Sequence, residues 1–330
     1  MTRTSARVVL GGLLLFAALG ACRRGSRGEA TRAGSATRTQ ESAPAGYRLV
    51  RFFGSSGAGP GELRSPTGIA IGPGGEIYVA DTGNHRIQVF SSSGCFLRQW
   101  GDAPGEPARL EMPIDIAIGP EGSVYVADFE RDRVQRFTPA GEPLAAWGQP
   151  GDGEGELADP AGLAIGPDGR VYVAEFSNHR IQVFDAAGGY LKALGREGHG
   201  MGELYYPTDL ALRPDGTLLV ADAYNHRIQA LTREGTAIDG QYDMGKALEG
   251  TTALEVPSGV GLDASGSIHV ADSANKRVVL LSGTGAFLAE WPLAADAHPQ
   301  VYSPTRVAVS GDRLYLVDTS NDRIGVLERR

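Results

Sequence analysis

One pattern of short apolar runs recurs six times in this chain. Its first copy reads Pro66-Thr67-Gly68-Ile69-Ala70-Ile71, then Ile77-Tyr78-Val79-Ala80-Asp81, then Asn84-His85-Arg86-Ile87-Gln88-Val89-Phe90. Its relatives open at Pro113, Pro160, Pro207, Pro257 and Pro304. The acid closing the second run falls at Asp81, Asp128, Glu175, Asp222, Asp272 and Asp318, at intervals of 47, 47, 47, 50 and 46 residues. A period this long, made of apolar runs and Gly/Pro turns, builds a stacked or radial array. What all copies share is then architecture, and function is sought where one copy departs from the rest.

The third copy shows four strand-length runs, at 162–165, 171–174, 181–184 and 190–194, rich in Val, Ile, Tyr and Phe. Gly166-Pro167-Asp168-Gly169 joins the first two as a tight turn. No stretch outside the N-terminus carries a helical period. Four antiparallel strands in each of six copies predict an all-β, six-bladed β-propeller; a linear β-solenoid is the other reading. The chain ends favour the ring. After the third run of copy six only Glu328, Arg329 and Arg330 remain, while Leu49-Val50-Arg51-Phe52-Phe53-Gly54 ahead of copy one reads like the fourth-strand segment Phe96-Leu97-Arg98-Gln99-Trp100-Gly101. An N-terminal strand that completes the last blade would close the circle and bury an open edge.

The Asp-x-x-Asn-His-Arg-Ile-Gln segments at Asp81–Gln88 and Asp222–Gln229, with the Gly-rich Glu-Leu lead-ins at 57–63 and 151–157, resemble the NHL repeat. The resemblance covers about residues 47–330 and implies the propeller fold. It implies little about activity, because one fold hosts many functions.

Residues 1–21 read as a lipoprotein signal peptide. Arg3 and Arg7 form a basic start, and the apolar stretch 8–21 is too short to span a bilayer. Leu19-Gly20-Ala21-Cys22 resembles the bacterial lipobox, which makes Cys22 the lipidated residue. Residues 22–46 are Arg-, Ser-, Thr-, Gly- and Ala-rich and read as a flexible tether. Residues 47–330 are the propeller. The expected location is the cell envelope. No Asp follows Cys22, so the expected anchor in a Gram-negative cell is the outer membrane, facing the periplasm or the surface.

With Cys22 lipidated, Cys95 is the sole remaining thiol and no intrachain disulfide can form. Setting aside the two basic residues before Cys22 and the five basic and two acidic residues of the tether leaves 24 basic against 37 acidic side chains, about −13. Some NHL proteins bind RNA on a basic surface; this balance argues against nucleic acid. The propeller is expected to be monomeric.

An arginine follows each repeat acid by five positions: Arg86, Arg133, Arg180, Arg227, Arg277 and Arg323. Sixfold repetition suits a charge-assisted bridge across each turn rather than a single site. Asn84, Asn178, Asn225, Asn275 and Asn321 suit the left-handed turn position. Arg131 replaces the Asn in copy two, where a distorted turn is expected. His85, His179 and His226 recur at one position in separate blades, too far apart for a zinc site, and read as solvated turn residues.

Three positions break the symmetry. Among the pairs after each repeat proline, Asp115, Asp209 and Arg306 bring charge to alternate copies, where the innermost strands line the channel. This is the candidate ligand site at the channel mouth. Phe129, Phe176 and Tyr224, with Tyr205 and Tyr206, suggest an exposed aromatic arc on the same face, a candidate partner surface; packing between blades is its alternative. The peptide-amidating lyases, which share this repeat, bind zinc through histidines directly after the repeat proline. Here those positions are Thr67, Ile114, Ala161, Thr208, Ser258 and Thr305, so that site does not carry over, and no resident metal or catalytic residue is assigned. Calcium in the channel, as in lactonase-type propellers, would find two carboxylates where it takes six to eight oxygens. The expected function is a binding scaffold for a protein, peptide or envelope polymer, without catalysis. The alternative is a metal-assisted hydrolase or lyase, lactonase-like or amidating-lyase-like, at the channel mouth.

Overall fold

The computed structural model describes residues 46–102, 105, 108–238, 252–293, 301 and 303–330. The signal peptide, Cys22 and all but the last residue of the tether lie outside the described residues, as does most of the 237–253 loop. The described chain is all-β, a ring of six antiparallel sheets with four short 3₁₀ turns. Each sheet is a meander running outward from the axis. In blade 3 the order is Pro160–Ile165, Val171–Glu175, Arg180–Phe184 and Tyr190–Leu194. Blade 4 shows three strands among the described residues; the bridge Leu231–Ala237 marks where the fourth position begins.

Burial follows from radial position. The second strand of each blade is covered on both faces by neighbouring blades, so Val171–Glu175 is buried at every position. The outermost strand faces solvent on one side, so Tyr190–Leu194 alternates. The cores lie between blades and are lined by both partners, as where Tyr172 and Ile181 of blade 3 pack with Leu218 and Val220 of blade 4.

Closure is as the chain ends suggested. Tyr47–Phe53 pairs antiparallel with Arg323–Arg329, making the last sheet from both termini. Phe53 packs on Phe90 of blade 1 at 5.1 Å. It also abuts Gly94, where an added Cβ would stand 2.8 Å from the Phe53 side chain. Gly141 faces Trp100 and Gly188 faces Trp147 in the same way. The repeated outer-strand aromatic is thus matched to a repeated turn glycine in the next blade.

Candidate functional site: the channel mouth

The inner strands begin with a register irregularity between the repeat proline and the residue two or three positions on. Such bulges re-aim side chains, and they fall where Asp115, Asp209 and Arg306 stand. The structure brings the three together. Arg306 Nε lies 3.5 Å from Asp115 Oδ1 and 3.5 Å from Asp209 Oδ2. The guanidinium also donates to the carbonyls of Ala161 at 2.9 Å, Thr208 at 2.7 Å and Ser258. One side chain from blade 6 is therefore tied to blades 2, 3, 4 and 5. Asp115 accepts the Leu163 N–H of blade 3 at 2.8 Å, and Asp209 accepts the Val260 N–H of blade 5 at 2.8 Å.

The glycine that precedes each charged position by one blade has a steric cause. A Cβ on Gly68 would stand 2.7 Å from the Asp115 Cα, one on Gly162 2.7 Å from the Asp209 Cα, and one on Gly259 2.6 Å from the Thr305 carbonyl. Near the axis the blades approach so closely that each charged residue needs a glycine in the blade before it.

The three charged residues are 3 to 7% exposed. Burial pushes Asp115 up to about 7; Arg306 opposes the rise and the nearby Asp209 adds to it. Burial also raises Asp209, against the pull of Arg306. The cluster is an internal ion-pair network, with its guanidinium donors on protein carbonyls. It does not fit a calcium site: the oxygens are few, and a guanidinium already lies against both carboxylates. Among the described residues no group of three or more His, Cys, Asp or Glu could hold a metal ion.

Around this plug the mouth has two unlike halves. In blades 5, 6 and 1 hydroxyl pairs stitch the edge: Ser258 with Ser273, Thr305 with Thr319 at 2.7 Å, and Thr67 with Thr82 at 2.6 Å. Blades 2 and 3 carry Ile114 with Phe129 and Ala161 with Phe176 at the same positions, all in one apolar cluster with Tyr206.

That cluster corrects the exposed-arc expectation. Phe129 and Phe176 are 1% and 0% exposed and Tyr206 is 5% exposed, because they fill the space between blades. Phe176 packs on Tyr206 at 4.6 Å and on Tyr224 at 6.3 Å. Tyr205 and Tyr224 are half-buried, beside exposed His199 and Met201. The blade 4 residue equivalent to Phe129 is Ala223, the first of its 3₁₀ turn; Tyr224 is one position further.

The turn residues are structural, with corrections. Arg86, Arg180, Arg227, Arg277 and Arg323 pair with their repeat acids at 2.6 to 2.9 Å. In blade 2 Arg133 reaches the Arg109 carbonyl at 3.0 Å. The left-handed residue is not the Asn but the next one: His85, Asp132, His179, His226, Lys276 and Asp322 have φ between 49° and 58°. Asn84 and its counterparts instead donate to the repeat acid, as Asn84 to Asp81 at 2.9 Å. The blade 2 turn keeps the common backbone, a 3₁₀ turn followed by Asp132 at φ 49°. His179 is buried rather than solvated. The Gly-rich lead-ins fold onto their own glutamates, with Glu62, Glu156 and Glu203 accepting the N–H of Gly59, Gly153 and Gly200. The equivalence of His and Asp at the left-handed position was the available signal for a hydrogen-bonding role there.

With this geometry in hand, the NHL repeat family model matches residues 63–90, 110–137, 157–184 and 204–231, in blades 1 to 4. This is an NHL-repeat propeller. The B-box type zinc finger protein ncl-1 of Caenorhabditis elegans is 50% identical over 44 residues, 13% of this chain and 5% of that one. Protein brain tumor of Drosophila melanogaster is 46% identical over 44 residues, 13% of this chain and 4% of that one. The matched part of the NHL chain thus spans about a twentieth of these relatives' length. Among solved structures, a streptogramin B lyase superposes with TM-score 0.61 at 14% identity, over 86% of this chain and 98% of that one. A protein of unknown function from Bacteroides thetaiotaomicron gives 0.67 at 14% identity, over 86% and 76%. A chain of a Nidogen/Laminin complex gives 0.59 at 17% identity, over 75% and 86%. Likeness at this identity is one of fold.

Proposed function

We propose that this NHL propeller is a non-catalytic binding module, exported and held to the cell envelope by lipidated Cys22, that takes a protein, peptide or envelope polymer on the face carrying Tyr205 and Tyr224. The observation behind this reading is the Arg306 plug. The charged side chains at the axis are spent on one another and on the blades, so what this face offers a partner is its half-buried tyrosines and the neighbouring His199 and Met201. Tyrosines of this kind supply contact area at low entropic cost. The tether enters at Gly46, whose carbonyl accepts the Arg330 N–H at 2.7 Å at the far end of the last blade. That end is opposite the channel mouth, so the tether would leave the propeller from the side away from the tyrosine face.

The test is a photo-crosslinking residue placed at Met201, and in a second variant at Ser92 on the opposite face, in the full chain in its native envelope. A defined crosslinked species from position 201 and none from 92 is expected; equal labelling from both would reject the face assignment. The second reading, a metal-assisted hydrolase or lyase at the mouth, has the likeness to streptogramin B lyase in its favour. Metal analysis with melting curves in and out of EDTA decides it: stoichiometric metal and a lower midpoint in EDTA would replace the binding reading with the enzymatic one.

A further inference from the structure

The left-handed turn residue of one blade reaches the start of the next. Asp322 accepts the Ser65 N–H at 2.7 Å, Asp132 that of Asp159 at 2.8 Å, His179 Nδ1 that of Tyr206 at 3.0 Å, and His226 Nδ1 that of Val256 at 3.2 Å. The four donors have positive φ themselves, 44° to 54°, immediately ahead of the repeat proline. The bond therefore holds a strained corner of one blade against its neighbour.

Carboxyl and imidazole are not equivalent in this place. A carboxyl keeps an acceptor oxygen whether ionised or protonated. An imidazole accepts at Nδ1 only when neutral, with its proton on Nε2. His85, the third turn histidine, instead sets its Nδ1 against the Glu111 carbonyl, and the two histidine junctions that accept an N–H differ in burial. His226 is exposed, so water can replace it on the Val256 N–H. His179 is buried, stacked on Tyr205 at 5.1 Å and edge-on to Tyr206 at 4.3 Å, and Tyr206 is buried in its turn.

We infer that the junction between blades 3 and 4 is an acid-sensitive latch, in which one proton taken from solvent at His179 Nδ1 turns an acceptor into a donor aimed at the Tyr206 N–H and releases the Tyr205–Tyr206 corner from blade 3. The titratable groups acting on this ring are Glu197, from the connection into blade 4, and Asp222, at the end of the second strand of blade 4; both favour the proton. Burial outweighs them and pushes His179 below the ordinary histidine range. Latch opening therefore belongs to acidic pH, below the range in which an ordinary histidine takes up its proton. The inference concerns the junction and holds whatever occupies the tyrosine face.

Two measurements on the full chain test it. The first is the ¹⁵N shift pattern of the His179 ring at pH 7.5, which should show the Nε2–H tautomer; an Nδ1–H ring overturns the latch outright. The second is hydrogen exchange from pH 7.5 to 5.5, corrected for intrinsic rates. Protection of the Tyr206 amide should fall by roughly tenfold, as for a buried donor that loses its partner, while Asp159 and Ser65, held by carboxyl groups, keep theirs. His179→Asn, whose side-chain oxygen accepts at every pH, should abolish the loss at Tyr206. Undiminished wild-type protection at pH 5.5, or the same loss in His179→Asn, would overturn the inference.

Discussion

Thr319 of the last blade donates its hydroxyl to the Pro66 carbonyl of the first at 2.7 Å, across 253 positions of sequence. Thr82 makes the same bond to Pro113 at 2.7 Å between blades 1 and 2, and Ser273 makes it to Pro304 between blades 5 and 6. The seam between the termini is stitched as those two junctions are, so the ring should unfold as a unit. Phe53→Ala, in the closing strand and against Phe90, should cost about 3–5 kcal/mol. Deleting residues 47–54 should lower the denaturation midpoint further and expose the edge of Arg323–Arg329. An unchanged urea midpoint in both would mean that the closing strand contributes no stability.

Arg306 is the counter-ion of two buried carboxylates. Arg306→Met leaves them uncompensated and should cost about 3–5 kcal/mol at pH 8. The loss should shrink as pH falls, because burial raises both carboxyls and a protonated carboxyl needs no cation. Adding Asp115→Asn and Asp209→Asn should recover most of it. A single variant as stable as the wild type at pH 8 would remove the plug from any account of stability.

Asp115 titrates at about 7 in the folded chain against 3.8 ordinarily, raised by burial against the pull of Arg306. The folded state then binds a proton that the unfolded chain has released. The stabilising contribution is full below about 3.8 and is lost as pH rises through about 7. Asp115→Asn should therefore gain stability relative to the wild type as pH goes from 5 to 8, read as a difference of melting midpoints. A difference flat in pH would contradict this.

Asp263 behaves in the opposite sense. Burial alone would raise it, but hydrogen bonds from Ser265, Arg329, Ser267 and His269 hold it at about 2. Its contact with Arg329 at 2.6 Å joins blade 5 to the strand beside Tyr47. A lowered carboxylate stabilises above its unfolded value and loses that contribution as pH falls through about 2. Asp263→Asn should be destabilised at pH 7, with the gap to wild type closing in acid titration. Parallel acid-denaturation curves would rule this out.

Packing and partner roles in the aromatic cluster separate by substitution. Phe176→Ala should cost about 3–5 kcal/mol, because its ring is wholly enclosed. Half-buried Tyr205→Ala should cost less than half as much, while removing the crosslink expected from position 201. Equal losses of stability would make Tyr205 another core residue.

The ring was legible because repetition carries it: six copies, four strand-length runs in each and a displaced fourth strand are all one-dimensional facts. The convergence of Asp115, Asp209 and Arg306 was legible for the same reason, since equivalent positions in a ring of blades face one axis. The aromatic arc was not. Phe129, Phe176 and Tyr206 look exposed when each turn is read alone, and the neighbouring blade that covers them is known only once the blades are packed.

The amino-acid sequence by itself determined the blade, its period and the way the ends meet, because these rest on local propensity and on patterns repeated along the chain. Tertiary structure alone decided that the channel charges pair with one another around Arg306, that each stands beside a glycine, and that His179 is a buried inter-blade acceptor while His226 at the equivalent place is exposed. Those outcomes depend on distances between blades, set by how six twisted sheets pack about one axis, and no single copy contains them.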